Sequence, residues 1–375
     1  MKRLGIYVFY EANGVVDDGV EYLLEAMKHL FHKMIFVVNG AINEEGIEKI
    51  QAYTSCIMQR ENYGYDAGAY KDVFSRWVTS EERCSYDEIV LMNNSFYGPL
   101  FNIDDTWAQM DAVKADFWGM TRHLEGIWEK KTQFPQHIQA YFLVIRKRML
   151  ESDWFTAFWE NIKYPDIFER AVFDFEIQFT TYFEEHGFEG RAVTDVTEWG
   201  VTLAQNENPY MLYSNELIRN AKMPFLKKKC LYIENPGYIN TIEALEYIEK
   251  TKLYDVERIW KNIFRECLAG TYGSILNYYR LEQFYAQHDR IYIYGAGQYG
   301  KALERYFQYR KWKQEAFVVT SKVSESTEKV ISYSELKLSS KDGIILALGR
   351  ANTKEVYNNI KVGVPKEQIF IFDNL

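Results

Sequence analysis

The segment RENYGYDAGAYKDV, which begins at Arg60, collects side chains that bind ligands beside glycines that let the backbone bend. Arg60 can pair with a diphosphate, Asn62 can donate and accept hydrogen bonds, and Asp66 can accept from sugar or ribose hydroxyls. Gly64 and Gly68 let the backbone come close to a ligand. The alternative is a glycine-rich turn whose Asn and Asp bind their own backbone. The residue types favour a binding site.

The elements that would position these side chains alternate between strands and helices. Apolar runs rich in β-branched and aromatic residues predict strands, and apolar residues at helical spacing predict helices. The strands are expected at 4–10, 34–38, 56–59, 88–92, 117–121 and 140–145, and the helices at 20–30, 47–53, 69–78, 154–161 and 176–186. This alternation predicts an α/β fold with a mostly parallel sheet.

The chain changes character twice after this region. Residues 239–286 have helical spacing and no strand signal. From Arg290 the sequence RIYIYGAGQYGKALERYF reads as strand, glycine turn and helix, and further apolar runs follow. We therefore expect an α/β domain at 1–236, a helical connector at 237–287 and a small Rossmann-like α/β domain at 288–375.

Gly295, Gly297 and Gly300 form a GxGxxG turn between that strand and that helix. Such a turn points a helix N-terminus at a phosphate and is typical of dinucleotide sites. A complete NAD site also needs an acidic residue at the end of the second strand, where this chain has Thr320 and Ser321. No NAD is expected for that reason. The loop either binds a nucleotide or sugar nucleotide without reacting, or allows close packing in a docking domain.

The bulk composition excludes several classes of protein. A net charge of -9 argues against nucleic acid as a partner, because a phosphate backbone needs a basic surface. Four cysteines without a CxxC pair argue against a zinc site or a disulfide framework and favour the reducing cytoplasm. No apolar run approaches the ~20 residues of a membrane span. The first apolar run is interpreted as a strand and not as a signal peptide.

An ordered series of short motifs resembles the rhamnan synthesis protein F family, over residues 2–236. The series contains, in chain order, Arg60, Asn62, Gly64, Asp66 and Gly68, then Asn93 and Ser95 with Gly98 and Pro99, FWGMTRH from Phe117, HIQAYFLVIRK from His137, Glu176 with Thr180, and MPFLKKKCL from Met223. The order of the motifs makes the resemblance specific. It implies a glycosyltransferase of bacterial cell-wall or surface polysaccharides with a GT-A like nucleotide-sugar-binding domain.

The resemblance also implies where a nucleotide-sugar donor binds. In a GT-A fold the donor lies across the C-terminal ends of the first parallel strands, the usual crevice of an open α/β sheet. The residues that we expect to bind it are Tyr10, Asn39, Arg60, Asn62, Gly64, Asp66, Gly68, Asn93, Asn94 and Ser95. The alternative for residues 93–95 is a turn that caps the strand.

Asn94 stands where the resemblance implies an aspartate of an acidic, cation-binding motif. That motif would hold Mn²⁺ or Mg²⁺ on the donor diphosphate. An amide oxygen can bind a cation, but without charge it binds more weakly. Metal dependence therefore stays open: Asp104 or Asp105 could supply carboxylates, or Arg and Lys side chains could neutralise the diphosphate directly.

Glu176 is the expected catalytic base, because it stands where the resemblance implies this group. It would take the proton from the acceptor hydroxyl as that hydroxyl attacks the anomeric carbon. Asp174 competes for this role, and an acid at the start of a predicted helix is also explained by the helix dipole. His137, Gln139 and Lys227 are expected to contact the acceptor or a phosphate, with a structural histidine as the alternative for His137.

The sequence thus predicts a glycosyltransferase that moves a sugar, with rhamnose expected, from a nucleotide diphosphate donor to a growing cell-wall or capsular polysaccharide, with inversion. The acceptor is expected to be lipid-linked. Two basic clusters, 146–148 and 227–229, are either solvated faces or contacts with an anionic membrane or acceptor, so a cytoplasmic protein with peripheral membrane contact is expected. The alternatives are an NAD-linked or sugar-nucleotide-modifying enzyme that uses the C-terminal glycine loop, and a non-catalytic scaffold that keeps the fold.

Overall fold

The computed structural model describes residues 1–128, 132–199, 208–232, 237–268, 276–320 and 329–372 of the chain. The chain forms two compact units. The first comprises Met1–Cys230 and Asn240–Asn262, and the second comprises Leu231–Ile239 and Ile263–Leu375. The three-part boundaries expected from the sequence stay a prediction beside this two-unit division.

The first unit is built on a mixed sheet. Its strands are β1 (Arg3–Phe9), β2 (Lys33–Asn39), β3 (Cys56–Arg60), β4 (Glu88–Asn93), β5 (Phe96–Tyr97), β6 (Phe117–His123), β7 (Gly126–Trp128), β8 (Thr132–Phe134), β9 (His137–Ile138), β10 (Phe142–Arg146), β11 (Gly190–Thr194) and β12 (Leu226–Lys227). The main sheet has the order β11-β6-β10-β4-β1-β2-β3, and β9 also pairs with β6. β1 to β4 pair in parallel, whereas β10 is antiparallel to β4 and β6. The predicted α/β fold class, with a mainly parallel sheet, is confirmed.

Both faces of this sheet are buried, which explains why its strands read as continuous apolar runs. The helices up to residue 268 are α1 (Asp18–Met27), α2 (Glu44–Gln51), α3 (Tyr65–Arg76), α4 (Ser80–Cys84), α5 (Ile103–Asp111), α6 (Lys147–Leu150), α7 (Asp153–Asn161), α8 (Phe168–Ala171), α9 (Gln178–Glu185), α10 (Pro209–Leu212), α11 (Ser214–Arg219), α12 (Tyr238–Thr251) and α13 (Val256–Leu268). Ile6 and Ile35 pack on the face that holds Tyr70 of α3, and their neighbours Tyr7 and Phe36 pack on the opposite face. Among the described residues, no helix is long and apolar enough to cross a membrane.

The helix expected to begin at Glu176 begins earlier in the structure. α8 continues into a π-helical turn, Val172–Ile177, and then into α9. Glu176 therefore lies inside a helical segment. Its predicted position in a first turn is wrong, and the helix dipole does not explain an acid there, because that effect is confined to the end of a helix.

The second unit contains a parallel sheet. Its strands are β13 (Arg290–Tyr294), β14 (Ala316–Val319), β15 (Val330–Ser332), β16 (Asp342–Leu346) and β17 (Ile369–Ile371), in the order β15-β14-β13-β16-β17. Its helices after residue 275 are α14 (Leu276–Ala286), α15 (Gln298–Arg310) and α16 (Arg350–Ile360). All pairs in this sheet are parallel. The strand order is that of a Rossmann-like sheet.

Two glycines of the GxGxxG turn provide a matched test of packing in this unit. A Cβ on Gly300 would lie 1.8 Å from the carbonyl oxygen of Gly295, whereas a Cβ on Gly297 would meet nothing within 4 Å. We expect Gly300→Ala to lower the free energy of unfolding by about 1–3 kcal/mol, because the backbone must move to admit the methyl group. Gly297→Ala should change it by less than about 0.5 kcal/mol. Urea denaturation of both variants measures the difference, and equal stabilities would contradict the packing role.

Candidate functional site

A pocket of about 210 Å³ lies in the first unit, beside the C-terminal end of β4. Its walls come from the start of α3, the turn after β4, the segment from β9 to β10, the helix around Glu176 and the residues at β12. This is the edge of the sheet at which α/β folds bind ligands. Seven residues expected from the sequence line it together: Asp66, Asn93, Ser95, His137, Gln139, Glu176 and Lys227.

The guanidinium of Arg60 is bound inside the protein. It donates to the Asp72 carboxylate at 2.7 Å, to the Asn39 side-chain oxygen at 2.6 Å and to the Tyr63 carbonyl oxygen at 2.6 Å. Asn39 in turn donates to the carbonyl oxygen of Tyr65 at 2.9 Å. Arg60 and Asn39 thus hold the loop between β3 and α3. Their polar groups face the loop, and the direct donor contacts expected for them stay predictions.

Glycine is required in this loop for steric reasons. Gly64 precedes α3 with a φ of +77°, and a Cβ there would lie 2.8 Å from the ring of Tyr164. A Cβ on Gly68 would lie 2.8 Å from the carbonyl oxygen of Tyr63. The two glycines therefore serve the packing of the loop, and Asp66 between them is the residue that reaches the pocket.

Asp66 forms one wall of the pocket together with the turn after β4. Its Oδ2 accepts from Nδ2 of Asn93 at 2.9 Å, and its Oδ1 accepts from the N–H of Ala67 at 3.0 Å. Asn93 Oδ1 accepts from the hydroxyl of Ser95 at 2.6 Å. Burial raises the pKa of Asp66, the hydrogen bond from Asn93 opposes this rise, and the charge of Glu176 adds to it.

Asn94 pairs with the backbone of Tyr10. Its Nδ2 donates to the Tyr10 carbonyl oxygen at 2.7 Å, and its Oδ1 accepts from the Tyr10 N–H at 3.3 Å. An aspartate could accept from this N–H but could not donate to the carbonyl. The amide therefore joins the chain after β1 to the chain after β4. Tyr10 is 49% exposed, and both it and the exposed Asn62 lie next to Gly40.

Glu176 reaches the pocket from the π-helical turn, a feature that is frequent at functional sites. Its Oε2 accepts from the N–H of Ala140 at 2.9 Å, and its Oε1 lies 3.6 Å from Nε2 of His137. Thr180 lies one helical turn later and accepts from the N–H of Ile138 at 2.9 Å. The helix is thus hydrogen-bonded at two points to the segment from β9 to β10, which fixes the Glu176 carboxylate at the pocket wall.

The charges around Glu176 keep it ionised. Burial raises the pKa of its carboxyl, but the imidazole of His137 nearby, the ammonium of Lys227 and the N–H of Ala140 lower it more, to about 2. Burial lowers the pKa of Lys227 to about 8, although the charge of Glu176 opposes this change. At neutral pH the pocket therefore holds a Glu176 carboxylate and a mainly protonated Lys227.

We expect the stability of the chain to depend on pH through Glu176. Its carboxyl has a pKa of about 2 in the folded chain against an ordinary value of 4.5. Its ionisation therefore stabilises the fold fully above pH 4.5, and this stabilisation, on the order of 3 kcal/mol, is lost as the pH falls toward 2. Urea denaturation of the native chain and of Glu176→Gln should show a difference in unfolding free energy that shrinks as the pH falls from about 5 toward 2. A difference that does not change with pH would contradict this expectation.

His137 is fixed on its buried side and presents Nε2 to Glu176. Its Nδ1 lies 3.0 Å from the carbonyl oxygen of Pro135, so this nitrogen carries a proton and donates it. The ring stacks on His123 with centroids 5.2 Å apart and an interplanar angle of 5°. Burial lowers the pKa of His123. His137 thus lines the pocket and also helps to position the Glu176 carboxylate.

Lys227 and Lys229 bring two ammonium groups to the pocket. The Nζ of Lys227 lies 4.3 Å from the ring centroid of Tyr141, and the Nζ of Lys229 lies 4.4 Å from that of Phe168. Within the described ranges, neither ammonium has a carboxylate partner at hydrogen-bond or salt-bridge distance. Burial lowers the pKa of Lys229 as well. The pocket therefore presents positive charge that the described residues leave available.

The other acids considered from the sequence lie elsewhere. Asp104 pairs with His29 at 2.8 Å, and Asp105 lies beside it on α5. Asp174 pairs with Arg170 at 3.4 Å. None of the three aspartates is among the residues that line the pocket in the described part of the chain. They do not compete with Glu176 for a place in this site.

The basic cluster 146–148 is bound to its own chain. Arg146 donates to the Glu88 carboxylate at 3.3 Å, and Arg148 forms an ion pair with Asp116. The second cluster, 227–229, differs because two of its members enter the pocket. Only the second cluster therefore presents charge at the candidate site.

Several pocket residues were not singled out individually in the sequence: His123, Phe134, Tyr141, Phe168, Asn208 and Lys229. Lys229 belongs to the KKK cluster and His123 closes the FWGMTRH motif, so both had a signal in the sequence. Phe168 had none, since its place depends on how α8 meets the sheet. Gln139, which was expected here, is buried and accepts from the hydroxyl of Thr121 at 2.9 Å.

The glycine loop of the second unit connects β13 to α15. Gly295 has a φ of +113°, and a Cβ there would lie 2.5 Å from the carbonyl oxygen of Ala347. Thr320 hydrogen-bonds the Tyr294 hydroxyl at 2.9 Å, and Ser321 lies outside the described residues. Close packing against the Ala347 backbone explains why residue 295 is a glycine. Nucleotide binding by this loop, and the expectation that it takes no NAD, stay predictions.

Comparisons with known proteins agree with the motif series. Residues 34–350 match the family model described as Rhamnan synthesis protein F, so the match extends beyond the span of 2–236 expected from the motifs. A relative in Sinorhizobium fredii, the uncharacterized protein y4gN, is 24% identical over 191 residues, which cover 49% of this chain and 46% of that protein. The chain therefore spans about half the length of this curated relative.

Two solved structures resemble parts of the chain. A 4-diphosphocytidyl-2C-methyl-D-erythritol synthase from Anaerococcus prevotii has 9% identity, a TM-score of 0.33 and coverage of 52% of this chain and 87% of its own. A nucleotide-diphospho-sugar transferase, so described for Desulfovibrio desulfuricans, has 12% identity, a TM-score of 0.30 and coverage of 67% and 98%. At these TM-scores the fold assignment depends on the strand order described above. The family model matches far more than half of the sequence, and this chain therefore belongs to the rhamnan synthesis protein F family.

Proposed function

We propose that the chain is a glycosyltransferase that moves a sugar from a nucleotide diphosphate donor to a hydroxyl of a cell-wall or surface polysaccharide. The observation that carries this proposal is that one pocket joins an ionised carboxylate, Glu176, to an ammonium, Lys227, at the ligand-binding edge of the sheet. Sugar transfer needs a base for the acceptor hydroxyl and positive charge for the leaving diphosphate. Membership of the family supports this class of enzyme.

The proposed reaction is a single displacement with inversion. Glu176 takes the proton of the acceptor hydroxyl, and the hydroxyl oxygen forms a bond to the anomeric carbon. The bond between that carbon and the diphosphate oxygen breaks, and the diphosphate leaves with the electron pair. Lys227 stabilises the negative charge that develops on it. The anomeric configuration of the product, read by NMR, tests the inversion.

Donor binding makes Glu176 a stronger base in this scheme. In the free pocket His137 and Lys227 hold its pKa at about 2, which is too low for efficient proton transfer at neutral pH. A diphosphate next to Lys227 would pair with the ammonium and add negative charge of its own. Both changes raise the pKa of a neighbouring carboxyl. The base thus gains strength when the donor is in place.

Other residues near the pocket suit the remaining parts of the donor. Asp66 and Asn93 offer hydrogen-bonding groups for sugar hydroxyls. Tyr10 and Asn62 are exposed beyond β1 and β3, where an aromatic face and an amide suit a nucleoside. Rhamnose as the sugar is supported by the description of the family alone.

The acceptor in this proposal is a lipid-linked glycan at the cytoplasmic face of a membrane. Ile167 and Phe168 are 50% and 42% exposed, and Phe168 lines the pocket beside the ammonium of Lys229. An apolar surface beside a positive charge suits an acceptor that carries both a lipid and a phosphate. Peripheral membrane contact would bring the enzyme to such an acceptor.

Thermal denaturation of the purified full chain tests the function. The ligands are dTDP-rhamnose, UDP-glucose, UDP-galactose, GDP-mannose, NAD and NADP, each with and without Mn²⁺. A ligand at a hundred times its dissociation constant stabilises the native state by ~2.7 kcal/mol, which raises Tm measurably. One sugar nucleotide should raise Tm. Asp66→Ala should remove this shift, and Asp174→Ala, which changes a carboxylate outside the pocket, should keep it.

Two other outcomes would contradict the proposal. If only NAD or NADP raises Tm and a change at Gly297 removes the effect, the function belongs to the glycine loop of the second unit. If no sugar nucleotide raises Tm or is turned over, the chain is a scaffold that keeps the fold.

A further inference from the structure

The pocket does not fit the divalent cation that the fold family implies. The turn after β4 offers two amides and a hydroxyl where such a site needs carboxylates. Asn94 is bound through both of its polar atoms to the Tyr10 backbone. Asn93 Oδ1 already accepts from the N–H and the hydroxyl of Ser95, at 3.1 and 2.6 Å. Among the described residues, no group of three or more His, Cys, Asp or Glu side chains is placed to hold a metal ion.

The pocket contains positively charged side chains instead of a cation site. Lys227 interacts electrostatically with both carboxylates of the pocket, Asp66 and Glu176. A divalent ion bound by these carboxylates would be repelled by the Lys227 ammonium. Several other lysines of the first unit have carboxylate partners, as Lys33 has Glu82 at 2.8 Å and Lys49 has Glu21 at 3.1 Å. In the part of the chain that the structure describes, Lys227 and Lys229 have aromatic neighbours and no such partner.

We propose that Lys227 and Lys229 hold the donor diphosphate in place of a divalent cation, so that the donor binds without metal. The inference rests on the proposed function, because it assumes that the ligand is a nucleoside diphosphate. Two ammonium groups can carry the charge that Mn²⁺ or Mg²⁺ supplies to the leaving diphosphate. Because a flexible ammonium acts as a point charge, it needs no fixed coordination geometry.

Calorimetric titration of the full chain with UDP, dTDP and GDP, and with UMP, dTMP and GMP, tests this inference. Each nucleotide is titrated in EDTA and again in Mg²⁺ or Mn²⁺. At least one diphosphate should bind with an affinity that changes less than about twofold between the two conditions. It should bind at least about tenfold more tightly than its monophosphate, because the second phosphate adds charge-assisted contacts to the ammonium groups.

Variants of the cluster 227–229 distinguish the contributions of its three lysines to diphosphate binding. Lys227→Gln should weaken diphosphate binding by about tenfold or more and monophosphate binding by less, since each 1.4 kcal/mol is a factor of ten. Lys227→Arg keeps the charge and should recover part of this loss. Lys229→Gln should weaken binding in the same sense. Lys228→Gln is the matched control, because Lys228 lies outside the pocket and its ammonium is 5.4 Å from the Tyr97 ring centroid.

The outcomes separate this inference from the proposed function. Diphosphate binding that is lost in EDTA and restored by Mg²⁺ or Mn²⁺ overturns the inference and leaves the function standing. Equal affinities of Lys227→Gln and Lys228→Gln overturn it as well. If no nucleotide binds under either condition, the function itself is wrong, and the inference falls with it.

Discussion

Replacing Glu176 by glutamine should lower kcat for sugar transfer by about 10²–10⁴-fold, the range that a positioned base contributes. The amide keeps an oxygen that can accept from the Ala140 N–H, so the helix should stay attached to the segment before β10. Donor binding should be unchanged or tighter, because a negative charge near the diphosphate has been removed. Single-turnover rates at saturating donor, with an independent titration of the donor, measure the two effects separately.

The pH dependence of the native enzyme distinguishes a base from a structural carboxylate. The acid limb of kcat/KM reports the free enzyme, in which the pKa of Glu176 is about 2, whereas the acid limb of kcat reports the complex. In the proposed scheme the bound donor pairs with Lys227 and raises the pKa of Glu176. The acid limb of kcat should therefore lie at higher pH than the acid limb of kcat/KM. Glu176→Gln should lack this limb.

Asp174→Asn is the control for this first prediction. Asp174 lies two residues from Glu176 in the same π-helical turn, but it pairs with Arg170 and does not line the pocket. Its replacement should leave kcat within about twofold, as expected for a surface substitution. A loss of rate in Asp174→Asn together with normal transfer by Glu176→Gln would show that the base has been assigned to the wrong residue.

Replacing Arg60 by alanine should destabilise the chain by about 3–5 kcal/mol, because it removes the closest charged partner of the buried Asp72 carboxylate. The two side chains are 9% and 6% exposed and are joined at 2.7 Å. Tyr164 donates to the other Asp72 oxygen at 2.7 Å but carries no charge to replace the guanidinium. Urea denaturation measures the loss. The Arg60→Ala, Asp72→Ala double variant should lose less than the sum of the single variants.

Arg76 provides a control with the same carboxylate partner. It lies 3.7 Å from Asp72, but its side chain is 66% exposed, so Arg76→Ala should cost less than about 1 kcal/mol. The experiment also decides between the two roles considered for Arg60. If Arg60 instead bound the donor diphosphate directly, the Arg60→Ala variant would have normal stability and weak donor binding. The positioning role described here gives an unstable variant in which donor binding falls only as the loop loses order.

The asparagine at position 94 shows how a correct motif can lead to an incomplete interpretation. The sequence places it after β4 and marks it as an amide where an acid is expected. It does not reveal the reason, which is a pair of hydrogen bonds to the Tyr10 backbone, 84 positions earlier. An amide can donate to the carbonyl and accept from the N–H in this pair, whereas an ionised aspartate can only accept. The departure from the motif thus has a structural cause.

The sequence by itself determined the elements and the identity of most candidate side chains. Strands β1 to β4 and helix α3 follow from local apolar patterns, and the carboxylates and lysines of the pocket were named from short motifs. The tertiary structure decided which of them meet: Asp66, Glu176 and Lys227 lie far apart in the chain and line one pocket, while Arg60 turns to Asp72. It also decided their charge states, since the pKa of Glu176 depends on burial and on His137 and Lys227. The physical reason is that apolar periodicity acts between near neighbours in the chain, whereas hydrogen bonds and electric fields act between groups that only the completed fold brings together.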